Sequence, residues 1–309
     1  MQRIRPSYAH LIPGRVSETC VALAFALMVI AGCTSNAALK SRPTVHPPTS
    51  VTAAPSSPTA AGGASAPPHG HVFVIVMENK SAAEARAQPF TAMMAREYGV
   101  LTNYDAITHP SAPNYLALTS GSTWGRHDDG YAVLPPDDVG HQLTAAARTW
   151  RAYMEDLPPD CRQDSNLYAV KHDPFAYFGG SCPPQVVPLA DLTADLAGTT
   201  PSFVWITPNL CNDGHDCSAS TADGWLSHEV PAILASPAWQ SGGALFVTWD
   251  EDDGSGANQV ATLIISPTLR PTQPNQSYSH YSLLATIEDR LGLPRLAAVA
   301  STPAITLCC

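Results

Sequence analysis

Ser111 lies in the segment T-H-P-S-A-P-N-Y-L-A-L-T-S-G (108–121), two residues before Pro113, with Asn114 next and a short apolar helical run after it. Proline suits the first turn of a helix, so the serine is expected at or just before a helix amino terminus. Unpaired N–H groups and the helix dipole favour an anion there, either a serine alkoxide or a phosphoryl oxygen. A serine acting only as a helix cap would need neither Asn114 beside it nor acidic strand ends nearby, which favours the nucleophile.

Acidic and amide side chains supply the rest of the chemistry. Glu78-Asn79 follows an apolar run at 71–77, Asn209, Asp213, His215 and Asp216 follow one at 201–207, and Asp250-Glu251-Asp252-Asp253 follows one at 243–249. Carboxylates gathered on one rim repel one another unless a cation sits between them, so a divalent metal ion is expected. Each piece alone has an ordinary reading. Glu78-Asn79 can start a turn, the acidic tract can be a solvated loop, and His215 and His280 can be structural histidines. Position favours a site, because both acidic groups directly follow buried strands.

The elements that must hold these residues are legible as four runs: H-V-F-V-I-V-M (71–77), P-S-F-V-W-I-T (201–207), G-A-L-F-V-T-W (243–249) and V-A-T-L-I-I-S (260–266). They lack polar alternation and read as strands buried on both faces of a parallel or mixed sheet. Helical patterns lie between them. Residues 89–98 stop at Gly99, Val139, Leu143 and Ala147 recur at i, i+4 and i+8, and Ser279 caps a helix carrying Leu283, Ile287 and Leu291 ahead of Gly292 and Pro294. The alternation predicts an α/β fold, a three-layer sandwich with a mostly parallel central sheet. Ligands in such sheets bind at the carboxyl ends of the strands, where the acidic residues fall.

The amino-terminal part has a different character. Arg3, Arg5 and Arg15 precede an apolar run from Val21 to Gly32. That run is too short to span a bilayer, which takes about 20 residues, and reads as the core of a signal peptide over 1–32. The ending V-I-A-G-C resembles a lipobox in which Cys33 becomes the acylated first residue, favoured here over plain secretion. Residues 34–68 hold 7 Pro, 6 Ser, 5 Thr and 8 Ala and no aromatic residue, a composition that builds no core. The expected organisation is a disordered tether over 33–68 and a catalytic domain over 69–309, exported as a cell-surface lipoprotein or secreted, with a lipid anchor meeting the membrane.

Composition agrees. With 45% hydrophobic residues the 309-residue chain can bury a sizeable core, and 16 Lys+Arg against 26 Asp+Glu exclude a nucleic-acid surface, which needs clustered cations. Of eight cysteines, Cys20 falls in the signal and Cys33 in the lipobox, leaving Cys161, Cys182, Cys211, Cys217, Cys308 and Cys309. In an oxidising compartment Cys161–Cys182 and Cys211–Cys217 are the preferred local disulfides. Zinc is the rival use, disfavoured because no paired C-x-x-C is present. The Cys308/Cys309 pair is left unassigned.

Five motifs in order, V-I-V-M-E-N-K-S, H-P-S-A-P-N-Y-L-A-L-T-S-G, I-T-P-N-L-C-N-D-G-H-D, T-W-D-E-D-D-G and Y-S-H-Y-S-L-L-A-T-I-E-D-R-L-G-L, span residues 71–294. Together they resemble the bacterial phosphoesterase family of secreted acid phosphatases and phospholipases C, within the alkaline-phosphatase-like superfamily. The match is nearest to the shorter secreted acid phosphatases, including those acting on phosphatidylinositol phosphates. The resemblance implies that Glu78, Asn79, Ser111, Asp250 and Glu251 are metal ligands, with Ser111 also the nucleophile. It implies that Asn114 binds the phosphoryl group, that His280 closes the metal site and that His215 contacts substrate or protonates the leaving group. Many relatives carry D-E-H-G-G in place of D-E-D-D-G, and some carry His at Asn212, which leaves the number of metals and the role of Asp252 or Asp253 open. The function implied is a metal-dependent phosphomonoesterase acting on phosphate esters, membrane lipids among them. The alternatives are a phospholipase C and a non-catalytic phosphate-binding lipoprotein.

Overall fold

The computed structural model describes residues 70–308, so the expected leader, lipobox and tether lie outside the described residues. Eleven strands occur in chain order: β1 (Val72–Met77), β2 (Val100–Leu101), β3 (Tyr104–Asp105), β4 (Trp150–Met154), β5 (Val186–Pro188), β6 (Phe203–Thr207), β7 (Ala244–Trp249), β8 (Thr262–Ile265), β9 (Arg270–Pro271), β10 (Tyr278–Ser279) and β11 (Leu307–Cys308). The helices are α1 (Ala82–Ala87), α2 (Pro89–Glu97), α3 (Ser111–Ser120), α4 (Val139–Ala145), α5 (Leu192–Ala197), α6 (Ala219–Ala235), α7 (Pro237–Gln240) and α8 (His280–Leu291).

Seven strands form one sheet in the order β2-β8-β7-β1-β6-β4-β5. β7, β1, β6, β4 and β5 run parallel, and β8 is antiparallel to β7. The four apolar runs are therefore four of the seven strands, with the last of them antiparallel. β4 escaped the pattern because Arg151 interrupts W-R-A-Y-M; its guanidinium reaches the half-exposed Asp195, 2.6 Å away.

Alternating side chains leave the sheet on opposite faces. Val74, Trp205 and Phe246 are register partners on one face, and Ile75, Ile206 and Val247 on the other. Trp205 meets the rings of Tyr115 from α3 and Phe175, so α3, packed on α4 and α8, covers the first face. Val247 lies among Phe90 and Met94 of α2 and Leu226 and Val230 of α6, which cover the second. The result is the expected three-layer sandwich.

Local signals act as expected at most helix ends. Pro89 opens α2, Gly121 closes α3 in the left-handed region, and Gly292 does the same for α8. The hydroxyl of Ser282 accepts from the backbone N–H of Ser279 at the start of α8. The expected 139–147 stripe is shorter. Val139 and Leu143 are buried on α4, but Ala147 lies past its end with φ 52°, so only two of the three stripe positions share a helix. A long-range cap ties the second helical layer together: the buried Asp223 carboxylate of α6 accepts from the Phe90 and Thr91 N–H groups and the Thr91 hydroxyl. Both preferred disulfides, Cys161–Cys182 and Cys211–Cys217, are present. Among the described residues no helix is long and apolar enough to cross a membrane.

Candidate active site

Parallel strands send their carboxyl ends to one edge of the sheet, and there β1, β6 and β7 hand over to Glu78, Asp213 and Asp250. Backbone bonds lock the three together: Glu78 N–H donates to the Asp213 carbonyl and Asp250 N–H to that of Met77, both at 2.9 Å. Asn79 follows with φ 46°, a left-handed conformation that asparagine tolerates better than most residues. From it the Asn79 backbone N–H reaches Asp250 Oδ1 at 3.2 Å and its amide reaches Glu251 Oε1 at 3.0 Å.

Ser111 is the first residue of α3 and is buried. Its hydroxyl donates to Glu78 Oε2 at 3.1 Å and lies 3.5 Å from Glu251 Oε1. The structure thus brings Glu78, Asn79, Ser111, Asp250 and Glu251 into one centre. Asn114 is also there. Its amide donates to the Thr108 and Pro110 carbonyls and to Glu251 Oε2, and its oxygen accepts from Ile107 and Thr108 N–H. These hydrogen bonds tie Asn114 to the turn ahead of Ser111 and to Glu251.

His280 lies behind the Asp250 backbone. Nε2 bonds the Asp250 carbonyl at 2.6 Å and Nδ1 bonds the Tyr104 hydroxyl at 3.1 Å, so both ring nitrogens are committed to protein atoms. Burial holds its pKa down, to about 4, so the ring is neutral and steadies the Asp250 backbone. His215 stands at the mouth: Nδ1 is 2.7 Å from Asp216 Oδ1 and Nε2 is 3.0 Å from the Lys171 ammonium. Asp252 Oδ1 lies 3.2 Å from His109 Nε2, and His109 Nδ1 is 2.9 Å from Glu251 Oε2.

Three participants were not found in the sequence. His172 stacks on Tyr115 and points Nε2 at Glu78 Oε1 and Nδ1 at Asp213 Oδ2, 3.1 and 3.2 Å away. Lys171 beside it spans Asp129 Oδ2 and His215. Asp129 itself accepts from Ala112 N–H through Oδ1 at 3.0 Å. The available signal was the triplet Lys171-His172-Asp173 set between Val170 and Pro174, charged side chains held between apolar residues without helical or strand periodicity.

The electrostatics favour a cation among these acids. Glu78 is pushed well above the usual carboxylate pKa by burial and by the charges of Asp250 and Asp213; Asp250 is pushed up by burial and by Glu251. Burial raises Asp213 to about 7. His172 is driven well below its ordinary value by burial and the nearby Lys171, which leaves neutral ring nitrogens. Glu78 Oε1, Asn79 Oδ1, Asp213 Oδ2, Asp250 Oδ2 and His172 Nε2 are all buried without a hydrogen-bond partner. Buried acceptors are normally paired. Buried nitrogen and oxygen atoms about 3 Å apart have the spacing of neighbouring ligands around a cation bound at roughly 2.0–2.2 Å. These residues fit a divalent metal ion, and Glu78, His172 and Asp213 form a buried group able to hold one.

A sandwich that brings a buried serine hydroxyl to a carboxylate centre at the strand ends offers the groups that phosphoric-ester hydrolysis needs. The Phosphoesterase family matches residues 83–294, and the chain belongs to that family. It is 35% identical over 251 residues, 78% of this chain and 83% of the relative, to phosphatidylinositol-3-phosphatase of Mycobacterium tuberculosis. It is 29% identical to a phosphate-repressible acid phosphatase of Penicillium chrysogenum, covering 72% of this chain but only 59% of the fungal protein. Among solved structures, a Vibrio parahaemolyticus protein of the alkaline phosphatase superfamily matches with TM-score 0.54 at 12% identity, over 77% of this chain and 69% of that one. That likeness is one of fold.

Proposed function

We propose that the protein is an exported, metal-dependent phosphomonoesterase in which Ser111 is the nucleophile. The observation that carries this reading is the Ser111 hydroxyl, 3.1 Å from Glu78 Oε2, at the amino end of α3 and beside buried acceptors that lack partners. Glu78, Asn79, Asp250 and Glu251, with Ser111, would hold the metal, and His172 and Asp213 extend the donor set from the far side of Glu78. A divalent cation bound there supplies a lowered hydroxyl pKa and neutralises charge on the phosphoryl oxygens.

The chain's own groups account for the protons. As Ser111 Oγ bonds to phosphorus, its proton passes to Glu78 Oε2, and the bond to the leaving oxygen breaks as that oxygen takes a proton from His215. Water then attacks the phosphoserine and gives a proton to His215. The phosphoserine bond breaks, phosphate departs and Glu78 returns the proton to Ser111. Asn114 and His280 hold the turn before Ser111 and the Asp250 backbone in place.

Lipid phosphates are the proposed substrates, supported by the name of the mycobacterial relative, a phosphatidylinositol-3-phosphatase. The two disulfides support export, and an anchor at Cys33 would place the domain beside lipid headgroups. Replacing Ser111 with Ala tests the reading: hydrolysis of 4-nitrophenyl phosphate should vanish while near-ultraviolet circular dichroism is unchanged, and retained turnover overturns it. A lipid panel separates the substrate classes. Release of phosphate from phosphatidylinositol 3-phosphate supports the monoesterase, whereas release of phosphocholine from phosphatidylcholine identifies a phospholipase C.

A further inference from the structure

The ammonium of Lys171 is mostly buried, which is costly for a charge unless it serves a purpose. It lies 3.1 Å from Asp129 Oδ2 and 3.0 Å from His215 Nε2. The other oxygen of Asp129 takes the N–H of Ala112, the residue next to Ser111. One carboxylate therefore bridges a buried cation and a backbone donor at the start of α3, as two oxygens of a phosphoryl group would.

We propose that Lys171 is the residue that selects phosphate monoesters, by binding the second anionic oxygen of the transferred phosphoryl group, and that the Asp129 carboxylate fills its place in the free enzyme. The proposal rests on the phosphomonoesterase reading of the site. A monoester carries a charge of about −1.5 to −2 near neutral pH, whereas a diester carries a single negative charge and gains less from a second cation. Arrival of substrate draws Lys171 from Asp129 and from His215, leaving His215 Nε2 free to take up a proton from solvent and pass it to the leaving oxygen. Asp129 then swings outward, a move its position at the half-exposed rim permits.

The test uses the metal-loaded full chain and the variants Lys171→Met, Lys171→Arg and Asp129→Asn. Removing one partner of a buried charge pair costs ~2–5 kcal/mol, so calorimetric binding of inorganic phosphate should weaken by roughly 30-fold or more in Lys171→Met. Lys171→Arg should restore most of it. Asp129→Asn removes the competing charge and should tighten phosphate binding several-fold. In kinetics, Lys171→Met should lower kcat/KM for 4-nitrophenyl phosphate at least about tenfold more than for bis(4-nitrophenyl) phosphate. Unchanged phosphate binding in Lys171→Met, equal loss on both esters, or weaker phosphate binding in Asp129→Asn overturns the proposal. Should Lys171→Met not fold, Lys171→Arg and Asp129→Asn still decide it, because Asp129→Asn predicts a gain. The phosphate-binding arm does not depend on Ser111, so a Ser111→Ala protein that still turns over refutes the proposed nucleophile without deciding this one.

Discussion

Ser111 Oγ and Glu78 Oε2 lie 3.1 Å apart, and the other oxygen of the same carboxylate lies 3.1 Å from Nε2 of His172. Glu78 is thus shared between the reactive hydroxyl and the buried histidine. Glu78→Gln keeps the shape but removes the charge that, in the proposed mechanism, receives the serine proton and helps to hold the metal. Its kcat on 4-nitrophenyl phosphate should fall by ~10²–10⁴, the range for loss of a general base. A variant retaining more than about a tenth of wild-type kcat would show that the proton goes elsewhere.

Asp223 provides a prediction about stability alone. Its carboxylate on α6 receives three hydrogen bonds, all from the first turn of α2 and none from Glu78, Ser111 or Asp250. Asp223→Ala leaves those buried donors unmet and should cost roughly 2–3 kcal/mol in chemical denaturation. The folded variant should keep the wild-type kcat/KM. A large loss of activity with unchanged stability would mean that the cap serves the site.

The Cys211–Cys217 bridge closes the turn between β6 and α6 that carries Asp213 and His215. A loop this short gains only about 2 kcal/mol from cross-linking, less than the 21-residue span of Cys161–Cys182. Its larger effect should be on the position of His215. Replacing Cys211 and Cys217 with Ser should lower kcat/KM by about tenfold while shifting the melting temperature by only a few degrees. Removing Cys161–Cys182 should do the opposite. Equal effects of the two bridges on activity would count against this division.

The strands and the carboxylates were legible in the sequence for the same reason. A strand buried on both faces leaves an unbroken apolar run, and the polar residue that ends it must lie at the sheet edge, which made Glu78, Asp250 and Glu251 visible. Pro113 did the same for Ser111 by marking the start of α3. Lys171 and His172 had no such frame. They sit in a 3₁₀ turn, Val170–His172, within a long connection between β4 and β5 that carries no period. Asn114 and His280 were visible as polar residues, but their hydrogen bonds to the backbone at Thr108 and Asp250 involve partners that residue types alone do not reveal. Ala147 misled because a stripe of three small or apolar residues says nothing about where the backbone leaves the helix.

Metal removal gives a pH prediction whose sign follows from the buried acids. In the metal-free protein Asp213 is raised by burial to about 7, and Glu78 and Asp250 move upward as well. The unfolded chain ionises these groups near pH 4, so from there toward pH 7 it releases protons that the folded chain still holds. Stability is therefore full below the ordinary carboxylate pKa and is lost as pH rises through the folded value. Protein stripped with a chelator should melt several degrees lower at pH 8 than at pH 5, and adding back a divalent cation should raise the melting temperature most at pH 8, where the carboxylates are ionised and bind it best. Thermal melts at both pH values, with and without metal, measure this. A chelated protein equally stable at pH 5 and pH 8 would mean that the acids around Ser111 meet their counter-charge within the chain.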